Sequence, residues 1–199
     1  MSTDLLMFGF DHVPVVRPNL PALRGGIDPG KHGWVVVEMS DGTLRSWQVP
    51  VDEDGKYDLK AFKVIALELK RLGVTHITLE AQQPTRLRGS QPGMANNAVR
   101  ASFMTGYGFA LWEMVLTMVG IDYDLAWPSA WKKKMGILAP SSVKDQKKRE
   151  KETKRLAIAE GQRLHPDHDF RRTPRCKPSH DQCEAALLIH YGRKKGWGS

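Results

Sequence analysis

Residues 25–49 read GGIDPGKHGWVVVEMSDGTLRSWQV, and this run restricts the fold more than any other part of the chain. Its β-rich apolar stretches are broken by Pro29-Gly30 and Asp41-Gly42, dipeptides that reverse a backbone. Asp-Gly between two β-rich runs is a hairpin signal. The spacing therefore predicts strands near 25–28, 33–39 and 43–49. The period then changes. Leu59, Phe62, Ile65, Ala66 and Leu69 recur at helical spacing, and Leu72-Gly73 ends that helix. THITLE at 75–80 reads as a short buried strand ending on a carboxylate, and 81–96 reads as a loop. A long apolar helix is expected over 97–119, weakened in the middle by Gly106 and Gly108. YDLAW at 123–127 is a strand stopped by Pro128, a basic helix follows over 143–164, and a last helix runs from Ser179 to about 193. Ser179 and Gln182 fit a capping box. Hairpin strands followed by alternating helices and strands indicate an α/β fold with a mixed central sheet of about five strands flanked by helices. Residues 1–24, with Pro14, Pro18 and Pro21, read as an extended N-terminal arm before one domain at 25–199.

Bulk properties narrow the function. A chain of 199 residues supports one compact domain. No apolar run approaches the ~20 residues of a membrane-spanning helix. The first residues lack the basic start and cleavage site of a secretory signal. Cys176 and Cys183 form no disulfide framework, so both are expected to be reduced. These features fit the cytoplasm of a bacterial or phage-infected cell, or an organelle, rather than secretion. The net charge is +8 with a pI near 9.6. Ten basic residues lie between Trp131 and Arg155 against three acids, Asp145, Glu150 and Glu152. A basic face of this kind suits a nucleic acid, whose condensed counterions are released on binding; a solvated helix laced with Lys–Glu pairs fits the same composition.

Four acids carry the chemistry. Asp28 ends the first strand and Glu80 a later one, and carboxyl ends of strands line the functional crevice of an α/β sheet. Asp181 and Glu184 are three apart at the start of the last helix and share a face. Taken singly, Asp28 also suits a turn, and Asp181 and Glu184 also suit the positive end of a helix dipole. Glu80 is harder to explain structurally, since a charge after Ile-Thr-Leu in a buried strand needs a partner. Four acids on one edge repel unless cations bridge them, and such hard oxygen ligands suit Mg²⁺ or Mn²⁺. Two such ions per site would serve phosphodiester cleavage. Cys176, His180 and Cys183 fall short of a four-ligand zinc site.

These motifs resemble the RuvC family of Holliday-junction resolvases, in the RNase H-like nuclease superfamily and nearest its phage and organelle-type members. The resemblance spans about residues 25–194. It rests on GIDPG with Asp28, ITLE with Glu80, WPSAWKKKMGI, and HDQCEAALLIHYGR with Asp181 and Glu184. It implies an RNase H-like sheet, a homodimer, and metal-dependent cutting of four-way (Holliday) DNA junctions that leaves 5′-phosphate and 3′-hydroxyl ends. Asp28, Glu80, Asp181 and Glu184 would then be catalytic metal ligands. Lys132 and Lys144 match family lysines that act on the junction backbone; Lys133 beside them and Arg86 and Arg88 in an acid-free stretch, 81–112, are further DNA-binding candidates. Glu184 replaces an Asp found in many relatives. Gln83 stands where some carry a base-stacking aromatic, leaving Met94, Phe103 or Tyr107 for that role. Other branched DNA or RNA–DNA hybrids are alternative substrates, and a catalytically idle junction-binding protein is a third reading. The exposed face of the 97–119 helix, with Phe103, Leu111 and Val115, is the candidate dimer interface.

Overall fold

The computed structural model describes residues 22–82 and 94–198, without the side chains of 94–98. The arm at 1–21, Gln83, Arg86, Arg88 and the side chain of Met94 lie outside the described residues. The chain folds as β1 (Leu23–Ile27), β2 (Trp34–Glu38), β3 (Leu44–Gln48), α1 (Leu59–Leu72), β4 (Val74–Glu80), α2 (Met94–Val119), β5 (Asp122–Ala126), α3 (Pro128–Lys134), α4 (Gln146–Leu164) and α5 (His180–Lys195). The strands form one mixed sheet in the order β3-β2-β1-β4-β5. The first three pair antiparallel, as the two turn dipeptides require, while β4 and β5 continue from β1 in parallel. Gly42 takes φ +83° in the β2–β3 turn, a conformation that glycine reaches without strain.

Alternation along the strands divides the core. Val35 and Val37 join Ile27, Ile77 and Leu79 on the face covered by α1 and α2, against Phe62, Leu69, Trp112 and Leu116. Val36 points the other way, toward Ala185, Ala186 and Ile189 of α5. Trp131, Ile137, Ala157, Leu187 and Leu188 extend that second layer through α3 and α4. Helices on both faces bury the central strands and leave the strand ends free to carry function.

Helix ends follow local chemistry. Asp58 caps α1 by accepting from the backbone of Lys60 and Ala61, and Asp145 caps α4 by accepting from Lys148. Ser179 Oγ accepts from Gln182 N–H at 3.3 Å, but the Gln182 side chain turns away to Ser46 and His168. Half of the expected capping box is therefore present. Two further expectations are corrected. The seven-residue α3 interrupts a stretch read without a helix, and Leu111 and Val115 are buried in the core, so they cannot form an exposed face of α2. They point inward because α2 packs on α1 and the sheet, and the exposed side is a stripe of Val99, Phe103, Met114 and Met118.

The tightest junction of the two layers lies at Gly26. A Cβ there would stand 2.0 Å from the backbone oxygen of Ala185 and 3.0 Å from Leu188 Cβ. We expect Gly26→Ala to destabilise the fold by about 3 kcal/mol or more, since backbone rather than a movable side chain opposes it. Urea denaturation of the two proteins measures this.

Candidate active site

The two strand-end acids leave the sheet side by side. Ile27 is in register with Leu79 in the parallel pair β1–β4, which puts Asp28 next to Glu80. Asp28 is oriented by its own turn: its backbone N–H donates to Trp34 O at 3.0 Å, and its Oδ1 accepts from Gly30 N–H at 3.1 Å. Glu80 is buried and is fixed by the indole of Trp131, whose Nε1 donates to Oε1 at 2.9 Å. That indole stands in place because Pro128 opens α3 directly after β5. Asp181 and the buried Glu184 lie in the first turns of α5, whose packing on β1, β2 and β4 carries them over the same edge.

The convergence of charge acts on the two strand-end acids. Burial first, then the charge of Glu80, holds the Asp28 carboxyl well above the ordinary range, and Glu184 and Asp181 push it the same way against the Gly30 hydrogen bond. Glu80 is also raised, by burial foremost and by Glu184 and Asp181, with Lys132 and the Trp131 hydrogen bond opposing. All four acids therefore act on one region, although they come from three distant parts of the chain.

Lys132, read from the sequence as a lysine that acts on the junction backbone, stands among the acids. Its Nζ lies 2.6 Å from Glu184 Oε2 and 3.8 Å from Glu80 Oε1, largely buried. Burial alone would lower its pKa, but the charges of Glu184, Glu80 and Asp28 outweigh that and raise it. Lys132 is thus a built-in counter-ion of the acidic cluster. Lys133 and Lys144 are exposed and outside it. A cleft of about 340 Å³ runs from Lys132 and Glu184 to Arg149 and Lys154 on α4. The sequence singled out neither Trp131 as a positioning group nor these two α4 cations. The Pro-x-x-Trp step and the basic run were the available signals, but neither says which side chain turns inward.

The acids fit a divalent ion by donor type, being hard oxygens whose mutual repulsion one lysine offsets only in part. The described part of the cluster is not a closed shell. Among the described residues, the His, Cys and carboxylate group whose ligand atoms all lie within 4.8 Å of one another is a different one, Glu38, His165 and His190. The sulfur-containing set does not assemble either. Cys183 is buried, with its Cβ and Sγ close to Gly161, Cys176 Sγ contacts Thr173 Oγ1 at the surface, and His180 Nε2 pairs with Asp181 Oδ1 at 2.9 Å.

No model of a protein family matches this chain, and no curated protein sequence does. Solved structures do match. The Thermus thermophilus RuvC structure shares 15% identity at a TM-score of 0.50, covering 87% of this chain and 96% of that one. T. thermophilus RuvC in complex with Holliday junction substrate shares 14% at a TM-score of 0.52, covering 88% of this chain and 97% of that one. The chain has the fold of RuvC. The sheet order and the flanking helices are therefore those of a RuvC-like, RNase H-like domain over most of its length. Among the described residues no helix is long and apolar enough to cross a membrane.

Removing the counter-ion gives a sharp test of this electrostatic arrangement. We expect Lys132→Met to cost about 3–5 kcal/mol at neutral pH, because two buried carboxylates lose their charge partner. Burial already raises the Glu80 carboxyl and Lys132 opposes that rise, so without Lys132 it moves further above its unfolded value, the folded protein binds more protons and stability rises as pH falls. Urea midpoints at pH 7.5 and 5.5 should therefore converge with those of the unaltered protein at the lower pH.

Proposed function

We propose that this chain is a structure-selective DNA endonuclease that resolves four-way junctions by divalent-metal-dependent phosphodiester hydrolysis. The observation that carries the reading is the meeting of Asp28, Glu80, Asp181 and Glu184 at one sheet edge, beside a cleft lined by cations. The RuvC fold supports a junction as substrate, and the T. thermophilus RuvC of the same fold is known in complex with one.

In this reading the four carboxylates hold one or two Mg²⁺ or Mn²⁺ ions. Bound there, such ions supply Lewis-acid activation of water and stabilisation of the departing oxygen. The protein's own residues do the rest. Gly30 N–H and the Trp131 indole fix the Asp28 and Glu80 carboxylates, limiting the reorganisation needed when DNA arrives. Lys132 keeps Glu184 and Glu80 together before the cations bind and presents a fixed positive charge to a scissile phosphate. Arg149 and Lys154, with exposed Lys133 and Lys144, seat the flanking backbone, and Arg86 and Arg88 are assigned the same role.

Paired cuts across a two-fold symmetric junction call for two sites related by the same symmetry, so we assign a homodimer. The exposed apolar stripe Val99, Phe103, Met114 and Met118 of α2 is the candidate contact, extending about 28 Å along the helix. Phe103 also stacks on Tyr107, with ring centroids 6.2 Å apart, and Tyr107 lies edge-on to Tyr57, whose hydroxyl feels the charge of Asp28.

Four measurements test this reading. Asp28→Asn should abolish cleavage in Mg²⁺ or Mn²⁺ while junction binding persists in Ca²⁺; undiminished cleavage would sink the assignment. A panel of mobile four-way junction, flap, RNA–DNA hybrid and plain duplex should show preference for the junction, and preference for another member would transfer the function to that substrate. Arg149→Ala with Lys154→Ala should flatten the salt dependence of junction binding by about two in log–log slope, one per lost phosphate contact. In equilibrium sedimentation the chain should behave as a dimer that Met118→Lys dissociates; a monomeric parent chain refutes the dimer.

A further inference from the structure

A second cluster lies at the end of the sheet away from the carboxylates. Glu38 closes β2 and is in register with Arg24 at the start of β1, whereas Asp28 follows the other end of that strand. His190 follows Asp181 on α5 by nine residues, about 14 Å along the helix axis. His165 is the C-cap residue of α4. Three separate elements thus deliver three side chains whose ligand atoms lie within 4.8 Å of one another.

The chemistry of the group is specific. His165 Nε2 and His190 Nε2 face each other at 2.8 Å. Whatever sits between two imidazole nitrogens must be an electrophile, either a shared proton or a cation. Glu38 Oε2 is buried and forms an ion pair with Arg193 at 2.7 Å, but it makes no hydrogen bond among the described residues. A carboxylate that ligates a metal is usually oriented by an outer partner, and Arg193 stands in that position. Burial, above all other causes, keeps both imidazoles neutral: His190 is pushed down to about 4, with His165, Arg193 and Lys194 acting in the same direction and Glu38 against it. Asp169 lies beyond His168 rather than at the cluster, and His168 contributes to His165 as a neighbouring like charge. His165 also lines an open cleft of about 430 Å³ with Asp41, Asp167 and His168, which gives an ion a route from solvent.

We propose that Glu38, His165 and His190 form a Zn²⁺ site that clamps the C-terminal end of α4 to α5 and β2. Two imidazoles and one carboxylate are borderline ligands that select Zn²⁺ over Mg²⁺, and three protein ligands leave a fourth position for water. Binding displaces the proton held between the two Nε2 atoms, and tautomerisation puts it on the Nδ1 of the same ring, so both ligands stay neutral. The site is separate from the acid cluster and fixes the helix that carries Arg149 and Lys154.

The test uses the full chain stripped of metal and titrated calorimetrically with Zn²⁺ alone in excess Mg²⁺, which competes for the hard-oxygen acids. One equivalent should bind to the parent chain and equally to Asp28→Asn, with a melting temperature that rises with Zn²⁺. Glu38→Gln and His190→Gln should each weaken binding by at least about tenfold. Long-range ¹H–¹⁵N spectra of the parent chain should show both His165 and His190 imidazoles shifting on Zn²⁺ addition, a readout independent of whether the variants fold. Absence of binding, loss of binding in Asp28→Asn, undiminished binding in His190→Gln, or imidazole signals unchanged at saturating Zn²⁺ each overturn the site and leave a neutral hydrogen-bonded histidine pair.

Discussion

The close approach of α5 to the sheet governs the rest of the molecule. An α-helix normally stands about 10 Å from a sheet with side chains between them, but here backbone touches backbone at Gly26 and Ala185, and Gly192 presses on the Thr78 side chain. The segment Glu184-Ala185-Ala186-Leu187-Leu188-Ile189 is buried along its whole length. Ala185, Ala186 and Ile189 pack with Val36 of β2, while Leu187 and Leu188 fill the layer shared with α3 and α4. This packing sets the helix's height and rotation together. With both fixed, the first turn of α5 must overhang the ends of β1 and β4, and its second half must reach the end of β2. The acidic cluster and the histidine cluster are two consequences of one packing contact.

That placement carries an energetic cost which the fold offsets locally. Asp28 and Glu80 hold their protons more tightly in the folded chain than in the unfolded one, so each subtracts stability above its unfolded pKa. The compensation is specific rather than diffuse. One N–H from Gly30, one indole and one ammonium group meet the carboxylates, and the ammonium reaches two of them. Replacing such a cluster by apolar residues of similar volume would in general leave a protein as stable or more so. Strain of this kind concentrates at functional sites.

Much of the architecture was legible because the decisive signals are local. Turn dipeptides bounded the first three strands to within a residue or two, and the Asp41-Gly42 turn has the glycine conformation its hairpin needs. Strand-end and helix-start positions likewise marked the four acids as candidates for one edge, while the parallel β1–β4 pairing and the packing of α5 that bring them together are long-range contacts. What escaped depends on contacts between distant segments. A seven-residue helix is too short for periodicity to reveal, so α3 was missed, and with it the inward turn of Trp131 and Lys132. Gln182 satisfies the capping pattern in sequence, yet partners across the fold claim its side chain. Glu38, His165 and His190 lie on three elements with no shared motif, so nothing short of the packed structure unites them.

The two signs of charge also bear on each other. A surface that only bound DNA would gain nothing from an acidic cluster that reaches its cleft through Glu184, since carboxylates repel the phosphates that Arg149 and Lys154 would attract. Lys132 cancels one of those charges at most. On the proposed function, the acids and a polyanion would become compatible once divalent cations neutralised the acids, and metal and DNA would then each favour the binding of the other. By linkage this coupling is reciprocal, so DNA raises the affinity for metal by the factor by which metal raises the affinity for DNA. An acidic centre inside a basic groove is thus a poor design for binding alone and a coherent one for metal-dependent chemistry on a phosphodiester.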